Sequence, residues 1–263
     1  MTTGEPEDAK MPLLAHLVEL RQRLLYSFIG FIVAFFACYA VAGHIYNFLV
    51  QPLADITAGE QGARMIFTAL HEAFFTQIKV AFFAAMCLSF PILSAQIWGF
   101  VAPGLYQQEK KAFLPFLIAT PCLFVLGAAV VYYLVIPLAW RFFISFETPG
   151  GEGTLPMQLE PKVDQYLSLV MRLIFAFGVC FELPVLIVLL AKMGIVSVAG
   201  LRAKRKYAIL IAFVVAAILT PPDVISQIML AVPVILLYEV SILCAVVIEK
   251  RREDPPDEEP GEA

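Results

Sequence analysis

Charged residues are scarce in this sequence. Only 15% of its 263 residues are Asp, Glu, Lys or Arg, against about 25% in an ordinary soluble domain. Hydrophobic residues make up 60%, where about 45–50% is usual. The charges cluster between apolar runs that are too long for strands. This pattern excludes a soluble globular domain and a nucleic-acid-binding protein, and it indicates a polytopic membrane protein built from helices.

Patterns that bind metals or catalyse reactions are also missing. The five cysteines all fall inside apolar runs and lack metal-site spacing, so we interpret them as small core residues. They are Cys38, Cys87, Cys122, Cys180 and Cys244. The three histidines, far apart in sequence, are His16, His44 and His71. No Gly-x-Ser-x-Gly or His-Glu-x-x-His motif occurs. We therefore expect no metal, no cofactor and no enzymatic activity.

Six apolar segments can cross a bilayer. The predicted spans are 24–43, 75–101, 112–139, 165–191, 207–219 and 224–248. The last two are short or interrupted by polar residues, which implies local bilayer thinning or cover by partner helices. Residues 12–23 are typical of an amphipathic helix at the membrane surface. The sequence thus predicts an all-α membrane domain at 12–248, a polar tail at 1–11, and an acidic, disordered tail at 249–263.

The basic residues predict the orientation of these spans. Cytoplasmic loops are richer in Lys and Arg than loops on the other side. Thirteen of the eighteen basic residues lie on the side that holds both termini: Lys10, Arg21, Arg23, Lys110, Lys111, Lys192, Arg202, Lys204, Arg205, Lys206, Lys250, Arg251 and Arg252. The other five are Arg64, Lys79, Arg141, Lys162 and Arg172. Both termini are therefore expected in the cytoplasm, and six spans agree with that parity.

One carboxyl group falls inside a span. The 19 residues 173–191 carry a single charge, Glu182. A carboxylate at that depth costs about 2.5 kcal/mol or more, so it should face protein or water rather than lipid. Either a neighbouring helix satisfies a protonated Glu182, or the other spans surround it as a hydrated concavity. Pro184 lacks an N–H and should kink the helix, because the Cys180 carbonyl loses its helical partner.

Other polar residues lie in or beside the last span. Gln227 and Glu239 interrupt its apolar run, and Asp223 is placed to cap the helix that follows the Thr-Pro-Pro turn. Two interpretations of these polar residues stay open: ordinary hydrogen bonding between helices of this chain, and docking of a partner helix.

Two carboxylates are expected at the cytoplasmic surface. Glu19 and Arg23 are four residues apart, the spacing of an ordinary helical ion pair. Glu109 stands beside Lys110 and Lys111, where a solvated loop charge is the simpler interpretation. A carboxylate can nevertheless accept a forked guanidinium, a geometry that lysine cannot copy.

Several motifs together resemble the TatC family, the multi-spanning subunit of the twin-arginine protein translocase. The resemblance covers about residues 12–248, in the order of the family. The motifs are His16-Leu17-Val18-Glu19-Leu20-Arg21-Gln22-Arg23-Leu24, Gln51-Pro52-Leu53, Phe100-Val101-Ala102-Pro103-Gly104-Leu105-Tyr106, Ala176-Phe177-Gly178-Val179-Cys180-Phe181-Glu182-Leu183-Pro184 and Leu219-Thr220-Pro221-Pro222-Asp223-Val224.

The resemblance implies a cup of six helices in the bacterial inner membrane. Such a protein recognises signal peptides with paired arginines and, with the single-span subunits TatA and TatB, exports folded proteins using the proton gradient. The family's signal site corresponds to Glu19, Leu20, Arg21 and Glu109. The family's intramembrane Glu corresponds to Glu182, and the Asp of its periplasmic turn to Asp223.

A secondary transporter of a small solute is the main alternative, since it would also place a carboxylate in the membrane. Transporters usually contain internal repeats and paired broken helices. No convincing repeat is present in this sequence.

Overall fold

The fold, taken from a computed structural model, is almost entirely helical. The structure describes residues 13–58, 64–101, 113–148, 150–151, 155–220 and 224–253. Its elements are α1 (Leu13–Ala40), α2 (Ala42–Ile56), α3 (Glu72–Val101), α4 (Phe113–Val130), a π-helical segment (Val131–Val135), α5 (Ile136–Ile144), α6 (Val163–Cys180), α7 (Leu183–Lys192), α8 (Val198–Ala203), α9 (Arg205–Leu219) and α10 (Val224–Glu253). Extended backbone pairs only at two isolated bridges in these ranges. The predicted all-α class is confirmed.

Five helical runs are long and apolar enough to cross a membrane: Leu17–Ala40, Glu72–Phe100, Pro115–Ile144, Val163–Lys192 and Val224–Lys250. The sixth crossing is α9, which has only 15 residues and is therefore about 22 Å long. Helix α1 packs chiefly on α3, α4 packs on α6, and α10 packs on α7 and α9. Helix α6 lies between the other helices, because it contacts α3, α4 and α9.

Several predicted boundaries are wrong. Helix α1 is continuous from Leu13 to Ala40, so residues 12–23 do not form a separate surface helix. The helix continues because residues 13–29 contain no Gly or Pro that would end it. The polar segment after the first span contains the 15-residue helix α2. Helix α5 continues to Ile144, five residues beyond the predicted end of the third span at 139.

The two tails are only partly visible. Helix α10 extends through Glu253, so residues 249–253 are helical rather than part of a disordered tail. The remaining residues of the predicted acidic tail, and the whole polar tail at 1–11, lie outside the described residues.

The predicted kink before Pro184 is confirmed. Helix α6 ends at Cys180 and α7 begins at Leu183. At the break, the Glu182 N–H bonds back to the Val179 carbonyl at 3.0 Å, a three-residue step that tightens the chain. The missing N–H of Pro184 thus separates one span into two helices.

Two glycines allow α4 and α6 to approach closely. A Cβ on Gly127 would lie 2.7 Å from the Phe177 carbonyl oxygen, and a Cβ on Gly178 would lie 2.5 Å from the Phe124 ring. Phe124 also stacks on Phe90 of α3, with ring centroids 4.0 Å apart. Small residues at such crossings let helix backbones pack without a gap.

Helix α2 is held in place by two tyrosine hydroxyls. Tyr132 of the π-helical segment donates to the Phe48 carbonyl at 2.7 Å, and Tyr166 of α6 donates to the Leu49 carbonyl at 3.0 Å. Leu49 and Leu53 are buried in the main apolar core. These contacts hold α2 against the ends of the spans on the side that the basic residues predict to be periplasmic.

A buried carboxylate organises the periplasmic layer. Glu72, at the start of α3, is 7% exposed. It accepts the backbone N–H groups of Thr68 at 2.9 Å and Ala69 at 3.3 Å. It also accepts the Asp164 N–H at 3.4 Å and lies 3.6 Å from the ammonium of Lys162, both at the start of α6. Glu72 therefore joins the loop before α3 to the loop before α6.

Candidate functional site

The predicted helical ion pair at the cytoplasmic end of α1 is present. Arg23 Nε and Nη2 donate to the same oxygen of Glu19, Oε1, at 2.9 and 2.6 Å. The side chains of Arg23 and Glu19 are 27% and 24% exposed, so the pair is partly protected from solvent. The other carboxylate oxygen, Oε2, accepts no hydrogen bond from any described side chain and can receive a further donor.

The Arg23 guanidinium is held against α3. A Cβ on Gly99 would lie 2.1 Å from Arg23 Nη1 and 3.0 Å from its Cζ. Only a glycine leaves room for the guanidinium at this crossing. Gly99 therefore helps to position Arg23, which in turn orients Glu19.

Leu20 and Arg21 are exposed on other faces of α1. Arg21 lies at the end of an apolar groove of about 570 Å³ between α1 and α3. The groove is otherwise lined by Leu24, Leu25, Ser27, Phe28, Phe31, Met86 and Leu93. The structure therefore places a cation at the cytoplasmic end of a long apolar surface.

Glu109 and Asp223 lie outside the described residues. Helix α3 ends at Val101 and α4 begins at Phe113, so Glu109 falls between these two helices in sequence. The pairing of Glu19 with Glu109 remains a prediction.

The Glu182 carboxyl is located at the break between α6 and α7. It is half-buried, and the Thr120 side chain of α4 approaches it. Trp98 of α3 donates its indole N–H to the Thr120 hydroxyl at 3.1 Å. Glu182 Oε1 is buried and has no hydrogen-bond partner among the described residues. Three spans thus meet at a polar chain with one unsatisfied acceptor, which calls for a proton, a water or a partner group.

The two polar residues of α10 find partners within their own hairpin. Gln227 donates to the Phe213 carbonyl of α9 at 3.1 Å. Glu239 pairs with Arg205 at the start of α9 at 2.6 Å. Both groups therefore tie α9 to α10, while Glu239 and Arg205 stay partly exposed at 41% and 47%.

Sequence reasoning missed one intramembrane residue. Arg172 was counted with the periplasmic basic residues, yet it is the tenth residue of α6, within the span Val163–Lys192. None of the five ion pairs among the described residues includes it. Its position inside a predicted apolar span was the signal that could have singled it out.

Fold and site together define a multi-spanning helical membrane protein with a carboxylate near the start of its first helix and a polar chain inside the bundle. Among the described residues, no group of three metal-ligating side chains occurs. A family model described as "Sec-independent protein translocase protein (TatC)" matches residues 15–233. The chain belongs to this TatC family.

Relatives and solved structures agree with this assignment. A Sec-independent protein translocase protein TatC of Magnetococcus marinus is 52% identical over 93% of this chain and 88% of the relative. The Escherichia coli K12 protein of that name is 43% identical over 88% of this chain and 86% of the relative. A crystal structure titled as the twin arginine translocase receptor TatC covers 89% of this chain and 99% of its own, with a TM-score of 0.77 and 35% identity. The expected cup of six spans fits these structures.

Proposed function

We propose that this chain is the signal-recognition subunit of a twin-arginine translocase in the bacterial inner membrane. It recognises twin-arginine signal peptides and, with TatA and TatB, exports folded proteins using the proton gradient. The family match and the relatives' names support this function. They give no support to the small-solute transporter.

The geometry of Glu19 carries the proposal for recognition. Its carboxylate is preorganised by Arg23 through Oε1, while Oε2 can accept a guanidinium from the signal. A charge-assisted contact of this kind contributes roughly 1.5–3 kcal/mol before solvent screening. Because Glu19 is partly exposed, the lower part of that range applies, and salt should weaken binding. We propose that Glu109 supplies the second carboxylate.

The groove between α1 and α3 suits the rest of a signal peptide. Signal peptides carry an apolar segment after their charged region. The groove has a polar end at Arg21 and an apolar lining below it. In this proposal the paired arginines bind the carboxylates of Glu19 and Glu109, and the apolar segment enters the groove beside Leu20 and Arg21 and follows it into the membrane.

The edge formed by α9 and α10 suits the single-span partners. Helix α9 is about 22 Å long, shorter than a hydrocarbon core of about 30 Å, so a partner helix could cover the mismatch. Large apolar side chains are exposed along it: Ile209, Leu210, Ile211, Val214 and Ile218. Cysteine pairs between this edge and a TatA or TatB helix should form disulfides, whereas pairs from α4 should not. Equal crosslinking from α4 would remove the preference.

Peptide binding tests the recognition site. Wild-type protein in detergent should bind a twin-arginine signal peptide more tightly than a twin-lysine one. Most of that preference should be lost in Glu19→Gln, in Glu109→Gln and in the double variant. The carboxylate accepts both arms of a guanidinium, whereas a lysine ammonium cannot bind in this forked way, so the substitutions weaken arginine binding more than lysine binding. Binding should be measured at two salt concentrations.

Glu249→Gln is the matched control, because it removes an exposed carboxylate from α10 on the same membrane side. It should leave both affinities unchanged. An unchanged preference for arginine in the double variant would show that these two carboxylates do not bind the signal.

A further inference from the structure

Arg172 is a cation at an unusual depth. The span Val163–Lys192 has 30 residues and is about 45 Å long, so about 7 Å projects beyond each boundary of a 30 Å hydrocarbon core. Arg172 is nine residues from the periplasmic end, about 13 Å along the helix. Its Cα therefore lies about 6 Å inside the hydrocarbon region. Its side chain is exposed, so it needs a partner from outside the described chain.

Arg172 lines a groove between α3 and α6 in the periplasmic half of the bundle. The groove has a volume of about 480 Å³. Its polar lining consists of Lys79, Ser168 and Arg172. The remaining lining is apolar and includes Phe82, Met86, Phe175 and Ala176. Phe82 is 50% exposed, so the groove opens to the outside of the protein.

The direction of the two helices raises the cations toward the headgroups. Helices α3 and α6 both begin on the periplasmic side, and side chains on a helix lean toward its N-terminus. Lys79 shows this directly, because its ammonium pairs with Asp164, the second residue of α6. A long Arg172 side chain leaning the same way brings its guanidinium toward the boundary of the hydrocarbon region, where a lipid phosphate can meet it.

The polar groups at this level are suited to one phosphate. Ser168 and Arg172 are four residues apart and share a face of α6, which gives a hydroxyl and a guanidinium fork on the same side of the groove. Lys79 is already neutralised in part by Asp164, so Arg172 is the cation without a counterion here. Guanidinium binds phosphate bidentately.

We propose that this groove binds an anionic phospholipid of the periplasmic leaflet, with its phosphate on Arg172 and one acyl chain along the apolar lining. A lipid accounts for both the charged upper end and the apolar lower part of the groove. A carboxylate on a partner helix is the competing way to satisfy the guanidinium, and the test below separates the two.

Lipid binding to the purified full-length protein tests the proposal. Native mass spectrometry and thermal melting in detergent should compare phosphatidylglycerol with phosphatidylcholine of identical acyl chains. Wild-type protein should retain phosphatidylglycerol preferentially, and its melting temperature should rise more with that lipid. Arg172→Gln should weaken phosphatidylglycerol binding about tenfold and leave phosphatidylcholine binding unchanged. Arg172→Lys, which keeps the charge but loses the fork, should retain only part of the preference.

Arg141→Gln is the matched control, because Arg141 is an exposed arginine at the periplasmic end of α5. It should behave as wild type. Ala176→Phe should fill the lower groove and reduce binding of both lipids. No lipid preference in the wild-type protein would overturn the proposal. So would equal losses in Arg172→Gln and Arg141→Gln, or an Arg172→Gln variant that binds both lipids normally but no longer crosslinks to a partner helix.

Discussion

Arg23 donates two hydrogen bonds to a single oxygen of Glu19, at 2.9 and 2.6 Å. The pair is more than an isolated surface ion pair, because α3 confines the guanidinium at Gly99. The carboxylate proposed to bind the signal is thus held in one orientation before any peptide arrives. Such preorganisation lowers the entropy lost on binding.

Gly99→Ala should weaken binding of a twin-arginine peptide. The new Cβ would meet Arg23 Nη1 at 2.1 Å, so the flexible guanidinium must move away and Glu19 loses its fixed orientation. Ordering one side chain costs about 0.5–1.5 kcal/mol, so we expect a two- to tenfold loss of affinity. Gly43→Ala is the control, because nothing lies within 4 Å of its added Cβ. Equal affinities in the two variants would contradict the positioning role of Gly99.

Thr120→Val should destabilise the bundle and impair export. The substitution keeps the shape but removes the acceptor of the Trp98 indole N–H and the hydroxyl that approaches Glu182. Losing a hydrogen bond costs about 0.5–1.5 kcal/mol. Thr120→Ser keeps the hydroxyl and should be nearly normal. The check is thermal melting in detergent, with export of a folded cargo measured in cells. Identical behaviour of Thr120→Val and Thr120→Ser would show that the hydroxyl contributes neither to stability nor to export.

Glu182→Leu should insert and fold but slow export. Leucine removes the carboxyl group that the break between α6 and α7 presents beside Thr120. Glu182→Gln keeps the shape, and its amide can still hydrogen-bond, so it should insert and fold as well. The measurement is the export rate at matched protein levels. If Glu182→Leu exported cargo at the wild-type rate, the Glu182 carboxyl would have no role in export beyond packing.

Gly127→Ala should lower thermal stability. Its Cβ would lie 2.7 Å from the Phe177 carbonyl oxygen and 2.9 Å from the Phe181 ring, and a backbone atom cannot move aside as a side chain can. Overpacking of this kind typically costs about 1–3 kcal/mol. Gly43→Ala again serves as the control in thermal melting. A Gly127→Ala variant as stable as that control would show that α4 and α6 separate easily.

Glu72→Gln should loosen the periplasmic layer. The carboxylate holds the Thr68 and Ala69 N–H groups and pairs with Lys162, whereas an amide has one acceptor oxygen and no charge. A cysteine placed at Val163, which is buried and whose N–H bonds the Ile66 carbonyl before α3, should then react faster with a thiol reagent than in the wild-type background. Glu160→Gln is the matched control, because its pair with Arg64 is exposed at 44% and 70% and such pairs contribute little. Equal reactivity in both variants would contradict the role of Glu72.

Local physical chemistry made much of this protein readable from its sequence. Long apolar runs determined the helical membrane class, because unpaired backbone groups cannot face lipid. Pro184 determined the break between α6 and α7, because a residue without an N–H cannot complete the helical ladder. The four-residue spacing of Glu19 and Arg23 determined their ion pair, and depth along the span identified Glu182 as exceptional.

Contacts between helices decided the other features of the fold and the site, and these contacts are known only once the helices have packed. Helix α2 was hidden in a polar segment, because the tyrosine hydroxyls and core residues that hold it come from distant parts of the chain. The approach of Thr120 and Trp98 to Glu182 requires three spans to meet at one level. The place of Arg23 against Gly99, and of Arg172 in a groove with Lys79, likewise depends on which helix faces which. Hydropathy and spacing act along the chain, whereas these contacts arise between segments far apart in sequence.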